Sequence, residues 1–149
     1  LHLSIRRQRQ MCIRDSPTIA DPQDVDPICT ETNGPCPFHE HSVVDALARP
    51  GPTALLVSTP RFCQSDVCGP TVGLLRSSLR VRPEPWSVVH AEVYQGPEAG
   101  NFNTTPVVTA LGLNFEPTLI VANSAGIVTA ALHFTMDANE VAAAMKTAV

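Results

Sequence analysis

Ser58-Thr59-Pro60-Arg61-Phe62-Cys63-Gln64-Ser65-Asp66-Val67-Cys68-Gly69-Pro70 follows the apolar run Ala54-Leu55-Leu56-Val57 and leads into a helical pattern over Thr71 to Leu79. A strand therefore hands over to a helix through a turn that carries two cysteines. A thiol at a helix start faces unpaired backbone N–H groups and the positive end of the helix dipole, and both favour thiolate over thiol. A second thiol five residues away can close a small ring with the first. This spacing predicts a reversible dithiol/disulfide pair, Cys63 and Cys68.

Outward from that turn, the pattern predicts an α/β chain. Thr53 to Ser58 is apolar without alternation, the signature of a strand covered on both faces. Before it, His41 to Ala48 reads as a short helix capped by Ser42, with Val43, Val44 and Leu47 inward, and Arg49-Pro50-Gly51-Pro52 stops it. The helix after the cysteines turns Val72, Leu75 and Leu79 to one side. Ser87 to Tyr94 reads as a second strand, with Val89, Ala91 and Val93 on one face and His90, Glu92 and Tyr94 on the other. Gln95 to Phe102 reads as a loop and Asn103 to Leu111 as a helix ending near Gly112. Thr118 to Ala122 is a third apolar strand, and Asn123-Ser124-Ala125-Gly126 is a turn into an antiparallel edge strand over Ile127 to Phe134. An alanine-rich helix over Asp137 to Ala148 closes the chain, with Val141, Ala142 and Met145 inward. The expected order is α-β-α-β-α-β-β-α: a central mixed sheet of about four strands with helices on both faces.

With 149 residues, 44% of them apolar, the chain has the length and composition of one domain with a real core. No apolar run approaches the roughly 18 residues of a membrane span. Net charge is −4 and no basic stripe is present, which argues against a nucleic-acid partner. Residues 1–16 read as foreign. Ile5-Arg6-Arg7-Gln8-Arg9-Gln10-Met11-Cys12-Ile13-Arg14-Asp15-Ser16 resembles translated sequencing-adaptor read-through, is Arg-rich, and lacks the apolar centre of a secretion signal. On that reading Cys12 carries no function, and the native N-terminus is missing together with any export signal or lipid anchor, without which the protein is expected in the cytoplasm.

Residues 17–37 are rich in proline and acid, show no helical or strand period, and read as an extended lead-in to a domain over residues 38–149. Cys29 and Cys36 lie there, with His39 and His41 just beyond. Three readings stand side by side: a stapling Cys29–Cys36 disulfide, two buried free thiols, or a metal site built from Cys29, Cys36, His39 and His41. The C-x6-C-x2-H-x-H spacing matches no common structural zinc pattern, so the disulfide leads and no metal is expected. His90 and His133 read as core or edge residues, and Trp86 as a packing residue.

The element order, the cysteines at the strand–helix turn with Cys68-Gly69-Pro70 inside it, and Phe115-Glu116-Pro117-Thr118 opening a late strand together resemble the thioredoxin-like superfamily. The resemblance covers roughly residues 27 to 149 and is closest to exported actinobacterial thioredoxin-like proteins. It implies a thiol–disulfide oxidoreductase with Cys63 and Cys68 as its catalytic pair. It also implies a cis Glu116–Pro117 bond beside them, and a substrate groove formed by Pro117, Glu116, Phe62, Gly69 and Pro70. The expected partner is a disulfide-containing or dithiol protein, met outside the cytoplasm by a monomer that uses no cofactor. The spacing departs from the family's Cys-x-x-Cys. Aligning Phe62-Cys63 on the family's aromatic-Cys makes Cys63 the attacking thiol; aligning Cys68-Gly69-Pro70 on its Cys-Gly-Pro makes it Cys68. The family's buried acid in the first strand is replaced by Val57 and Ser58, which leaves Glu92, Glu116 or water for proton transfer. Two other classes share these features. A non-catalytic interaction domain would keep Cys63–Cys68 as a fixed staple, and a copper-delivery protein would pair the two cysteines with His90 or His133.

Overall fold

A computed structural model describes residues 15–63 and 68–149. Residues 1–14 of the foreign-looking segment 1–16, Cys12 among them, and the turn residues 64–67 lie outside the described residues, whereas Asp15 and Ser16 are described. Four strands form one mixed sheet: β1 (Thr53–Val57), β2 (Ser87–Ala91), β5 (Thr118–Ala122) and β6 (Val128–His133), in the order β2-β1-β5-β6. β1 pairs parallel with β2 and antiparallel with β5, and β5 pairs antiparallel with β6. β1 and β5 are buried at every position, as their unbroken apolar sequences require of strands in the middle of a sheet.

Alternation along the strands divides the core into two. Ala54, Leu56, Leu119 and Val121 point to one face, where they meet Val72 and Leu75 of α2 (Cys68–Leu79) and Val141, Ala144 and Met145 of α4 (Ala138–Lys146). Leu55, Val57, Val89, Ala91, Ile120 and Ala122 point to the other, against Ala46 and Leu47 of α1 (Val43–Ala48) and Val107 and Val108 of α3 (Pro106–Leu111). The expected arrangement of a four-stranded mixed sheet with helices on both faces is therefore present. Among the described residues no helix is long and apolar enough to cross a membrane.

Local chemistry sets the helix ends. The Ser42 side chain accepts from Asp45 N–H at 3.1 Å, while Ser16 Oγ and Asp15 Oδ1 accept from Val43 and Val44 N–H at 2.7 and 3.1 Å. Asp137 and Glu140 form a reciprocal capping box at α4, and Trp86 packs against the α2/α4 side of the core. Four expectations need correction. The second strand ends at Ala91. Tyr94–Gly96 is a separate strand, β3, paired antiparallel with β4 (Asn101–Thr104) across a short 3-10 turn at Pro97–Ala99. The loop and helix start expected over 95–105 give way to this hairpin, and Pro106 opens α3 at its first helical position. In α4 the inward alanine is Ala144, with Ala142 only half-buried. Of the first helix's expected inward set, Val43 and Val44 are half-buried and Ala46 is buried in their place.

The lead-in adds no helix or strand, yet Val25, Cys29 and Cys36 are buried, as is Phe38 directly after it. It runs along β2, where His90 N–H donates to the Phe38 carbonyl at 2.8 Å, and reaches β3, where Asp26 N–H donates to the Gln95 carbonyl at 2.8 Å. Glu31 ties it to α2 through Arg76 at 3.3 Å.

Candidate functional site

Two constellations of sulfur stand out, one at the end of β1 and one where the lead-in crosses β2. At the first, Cys63 and Cys68 are joined by a disulfide, with Cα atoms 6.0 Å apart. Cys68 opens α2 and is fully buried, whereas Cys63 is half-buried on the turn before it. Cys63 is therefore the accessible sulfur. It lines a groove of about 460 Å³ with Val57, Tyr94, Val108, Phe115 and Glu116, a size within the usual range for ligand clefts. The Glu116–Pro117 bond is cis, and Pro117 lies buried at the start of β5. Of the residues expected in this groove, Glu116 lines it directly, while Phe62, Gly69, Pro70 and Pro117 are not among its walls.

The β3–β4 hairpin braces the cysteine turn. Phe102 meets Phe62 edge-on at 6.3 Å and Tyr94 edge-on at 5.3 Å, and Arg61 pairs with Glu98 at 2.8 Å on the surface. Tyr94 donates its hydroxyl to Glu116 Oε1 at 3.4 Å. Burial raises the Glu116 carboxyl above its ordinary pKa, and the Tyr94 hydrogen bond offsets part of that rise. Glu92 is almost fully buried, and burial pushes its carboxyl up to about 7 against the opposing pull of His90 and the Thr30 N–H. Its Oε1 accepts from Thr30 N–H at 2.6 Å, so this acid faces the lead-in; it is not among the groove's walls.

At the second constellation, Cys29, Cys36, His39 and His90 are all buried, and one ligand-type atom from each lies within 4.8 Å of all the others. His90 Nδ1 is the hub. It stands 3.3 Å from Cys36 Sγ, 3.8 Å from Cys29 Sγ and 3.1 Å from His39 Nε2. The expected Cys29–Cys36 disulfide is absent: both are unbonded thiols, and Cys29 Sγ instead accepts from Cys36 N–H at 3.4 Å. The ring of His90 is fixed from behind. Its Nε2 is 3.1 Å from the Ser58 carbonyl oxygen and 2.9 Å from Ser58 Oγ. A carbonyl can only accept, so Nε2 carries a proton and Nδ1 is the atom turned to the sulfurs.

The sulfurs differ sharply. The hydrogen bond from Cys36, with those of His39 and His90 behind it, holds Cys29 far below the ordinary thiol range despite burial. Cys36 is pushed far above that range by the same bond and by burial. The pair thus loses one proton readily and holds the second tightly. Burial alone would lower His90, but the sulfur of Cys29 and the carboxylate of Glu92 outweigh it and raise its pKa. Of the four residues grouped from spacing, the structure brings together Cys29, Cys36 and His39. His41 lines a separate surface groove with Trp86, and His90 takes the fourth place. The register that seats Leu56 beside His90 turns both toward the Cys29 face of the sheet. Neither histidine considered for copper joins Cys63 and Cys68 in a cluster among the described residues, and His133 hydrogen-bonds Thr118 Oγ1 at 3.1 Å.

No protein-family model matches this chain, and no curated protein matches it.

Proposed function

We propose that the chain is a thioredoxin-like thiol–disulfide oxidoreductase acting through Cys63 and Cys68. One observation carries the reading: a half-buried sulfur in a mainly apolar groove walled by Glu116, bonded to a buried sulfur at a helix start. The parallel β1–β2 pair with α2 between its strands, followed by the antiparallel β5–β6 pair and α4, supports the resemblance in element order.

In the reduced protein the Cys63 thiolate attacks one sulfur of a substrate disulfide. A mixed disulfide forms and the other substrate sulfur leaves as thiolate. Cys68 then attacks the Cys63 sulfur, the second substrate sulfur leaves, and the Cys63–Cys68 bond closes. Two electrons pass to the substrate, and an external dithiol returns them to the pair. The same steps in reverse oxidise a dithiol substrate. Glu116, kept easier to protonate by burial, is the acid within the groove and accepts or supplies the proton exchanged with the departing thiol. The exposed aromatic ring of Phe115, at the groove's edge, offers apolar contact to an extended protein segment. Dithiol-driven reduction of insulin disulfides tests the reading. Wild type accelerates it, Cys63→Ser abolishes the acceleration, and Cys68→Ser traps mixed disulfides visible by mass spectrometry. Equal rates for wild type and Cys63→Ser refute it.

A further inference from the structure

The Cys29–Cys36–His39–His90 cluster stands apart from the Cys63 groove, and its geometry asks for an occupant. We propose that these four side chains bind one zinc(II) ion in a closed tetrahedral site that fastens the lead-in to β2. Zinc–sulfur and zinc–nitrogen bonds of about 2.3 and 2.0–2.1 Å in a tetrahedron place neighbouring ligand atoms roughly 3.3 to 3.8 Å apart. The measured separations around His90 Nδ1 are 3.1, 3.3 and 3.8 Å, and no pair of ligand atoms exceeds 4.8 Å. Shifts of about 1 Å or less complete the polyhedron.

Chemistry narrows the metal. Two sulfurs and two imidazole nitrogens in a tetrahedral arrangement suit zinc, and four protein ligands without an open position make a structural site. All four residues are at most 6% exposed, which leaves no room for a substrate on the ion. Charge agrees with burial: two thiolates neutralise a divalent cation, whereas an isolated buried thiolate is costly. On binding, two Zn–S and two Zn–N bonds form, whatever protons the two sulfurs and the two ligating ring nitrogens still hold leave to solvent, both imidazoles bind as neutral rings, and no electron is transferred. Ser58 supplies the outer hydrogen bond that such histidines usually make, holding Nε2–H so that Nδ1 faces the ion. His39 Nδ1 is buried without a hydrogen-bond partner among the described residues, so Nε2 is this ring's only engaged nitrogen.

The site also reaches the redox turn. Thr30, next to Cys29, accepts Arg61 N–H on its hydroxyl at 3.2 Å and Arg61 Nε–H on its carbonyl at 3.4 Å, two residues before Cys63. The zinc site thus sets the floor on which the Cys63 turn rests.

Metal analysis of the full chain, purified under reducing conditions and equilibrated with zinc, tests the proposal, with cobalt(II) as spectroscopic probe. About one zinc per chain and the intense visible bands of tetrahedral thiolate-bound cobalt are expected. Both persist in His41→Ala, in Cys12→Ser and in the double variant Cys63→Ser/Cys68→Ser, and Cys29→Ser and His90→Ala lose both. His39→Cys keeps a four-ligand set, so it retains zinc with a cobalt spectrum of greater sulfur character and guards against loss through misfolding. Zinc absent from the wild type, or zinc lost only in the Cys63→Ser/Cys68→Ser variant, overturns the site.

Discussion

Reducing the Cys63–Cys68 bond should loosen the fold only slightly, and that small effect separates an exchanging disulfide from a structural staple. The two cysteines are five residues apart, so the bond closes a very small loop. The chain-entropy treatment assigns a loop of this size about 2 kcal/mol, against about 4.7 for a hundred-residue loop. For a chain of this length that corresponds to a fall in Tm of about 4–8 °C on reduction. A thermodynamic cycle ties this to redox poise. Whatever the bond adds to folding, folding adds to the bond, and 2 kcal/mol is about 40 mV for a two-electron couple. The native fold therefore shifts the pair modestly and leaves it open to exchange with other thiols. Paired thermal melts with and without dithiothreitol, using Cys63→Ser/Cys68→Ser as the reductant-insensitive control, measure the first quantity. Equilibration with glutathione buffers measures the second. Global unfolding on reduction, together with a potential below about −300 mV, would place the bond among structural disulfides and refute the oxidoreductase reading.

Glu116 is harder to ionise in the fold than in the unfolded chain. At pH below the ordinary carboxyl range both states are protonated and its contribution to stability is intact; that contribution is lost as pH rises through the raised folded pKa. Urea midpoints should therefore coincide for wild type and Glu116→Gln in acid and favour Glu116→Gln at neutral pH, and a pH-independent difference would exclude desolvation as the cause. Phe102→Ala removes the ring between Phe62 and Tyr94, at about 0.5–1.5 kcal/mol per aromatic pair. It should cost about 1–2 kcal/mol in denaturant melts and speed alkylation of reduced Cys63; an unchanged alkylation rate means that the row does not hold the turn.

What the sequence displays well is what burial writes into composition. Thr53–Val57 and Thr118–Ala122 are apolar because they are covered on both faces, and both strands lie where the runs of Leu, Ile and Val place them. Asn101–Thr104 carries no such mark. All four residues are exposed and pair only with a three-residue strand, so neither alternation nor an apolar run announces it. The alanine-rich last helix has the opposite difficulty, because Ala142 and Ala144 look alike and only packing distinguishes them. The cysteine turn was legible because its two thiols are close in sequence. The second cluster was half legible. Cys29, Cys36 and His39 stand together in the chain, but His90 lies 51 residues beyond His39 and meets them through strand register, to which local spacing is blind. Its one trace was a polar ring between Val89 and Ala91 on a strand.

The crossing of the lead-in over β2 has a consequence for how the molecule can be cut and crowded. An unpaired strand at the rim of a sheet is a template for other chains, and this sheet has two rims. At one, the Phe38 carbonyl takes up the His90 amide, and Cys36 and Phe38 press in beside it. At the other, Val128–His133 meets no fifth strand among the described residues and carries no Asp, Glu, Lys or Arg to repel a neighbour. A chain trimmed to begin at residue 43 would bare the β2 rim as well. The proline-rich stretch that looks like a dispensable tail thus leads into the cover of the β2 rim, an edge that a trimmed chain would offer to its own copies.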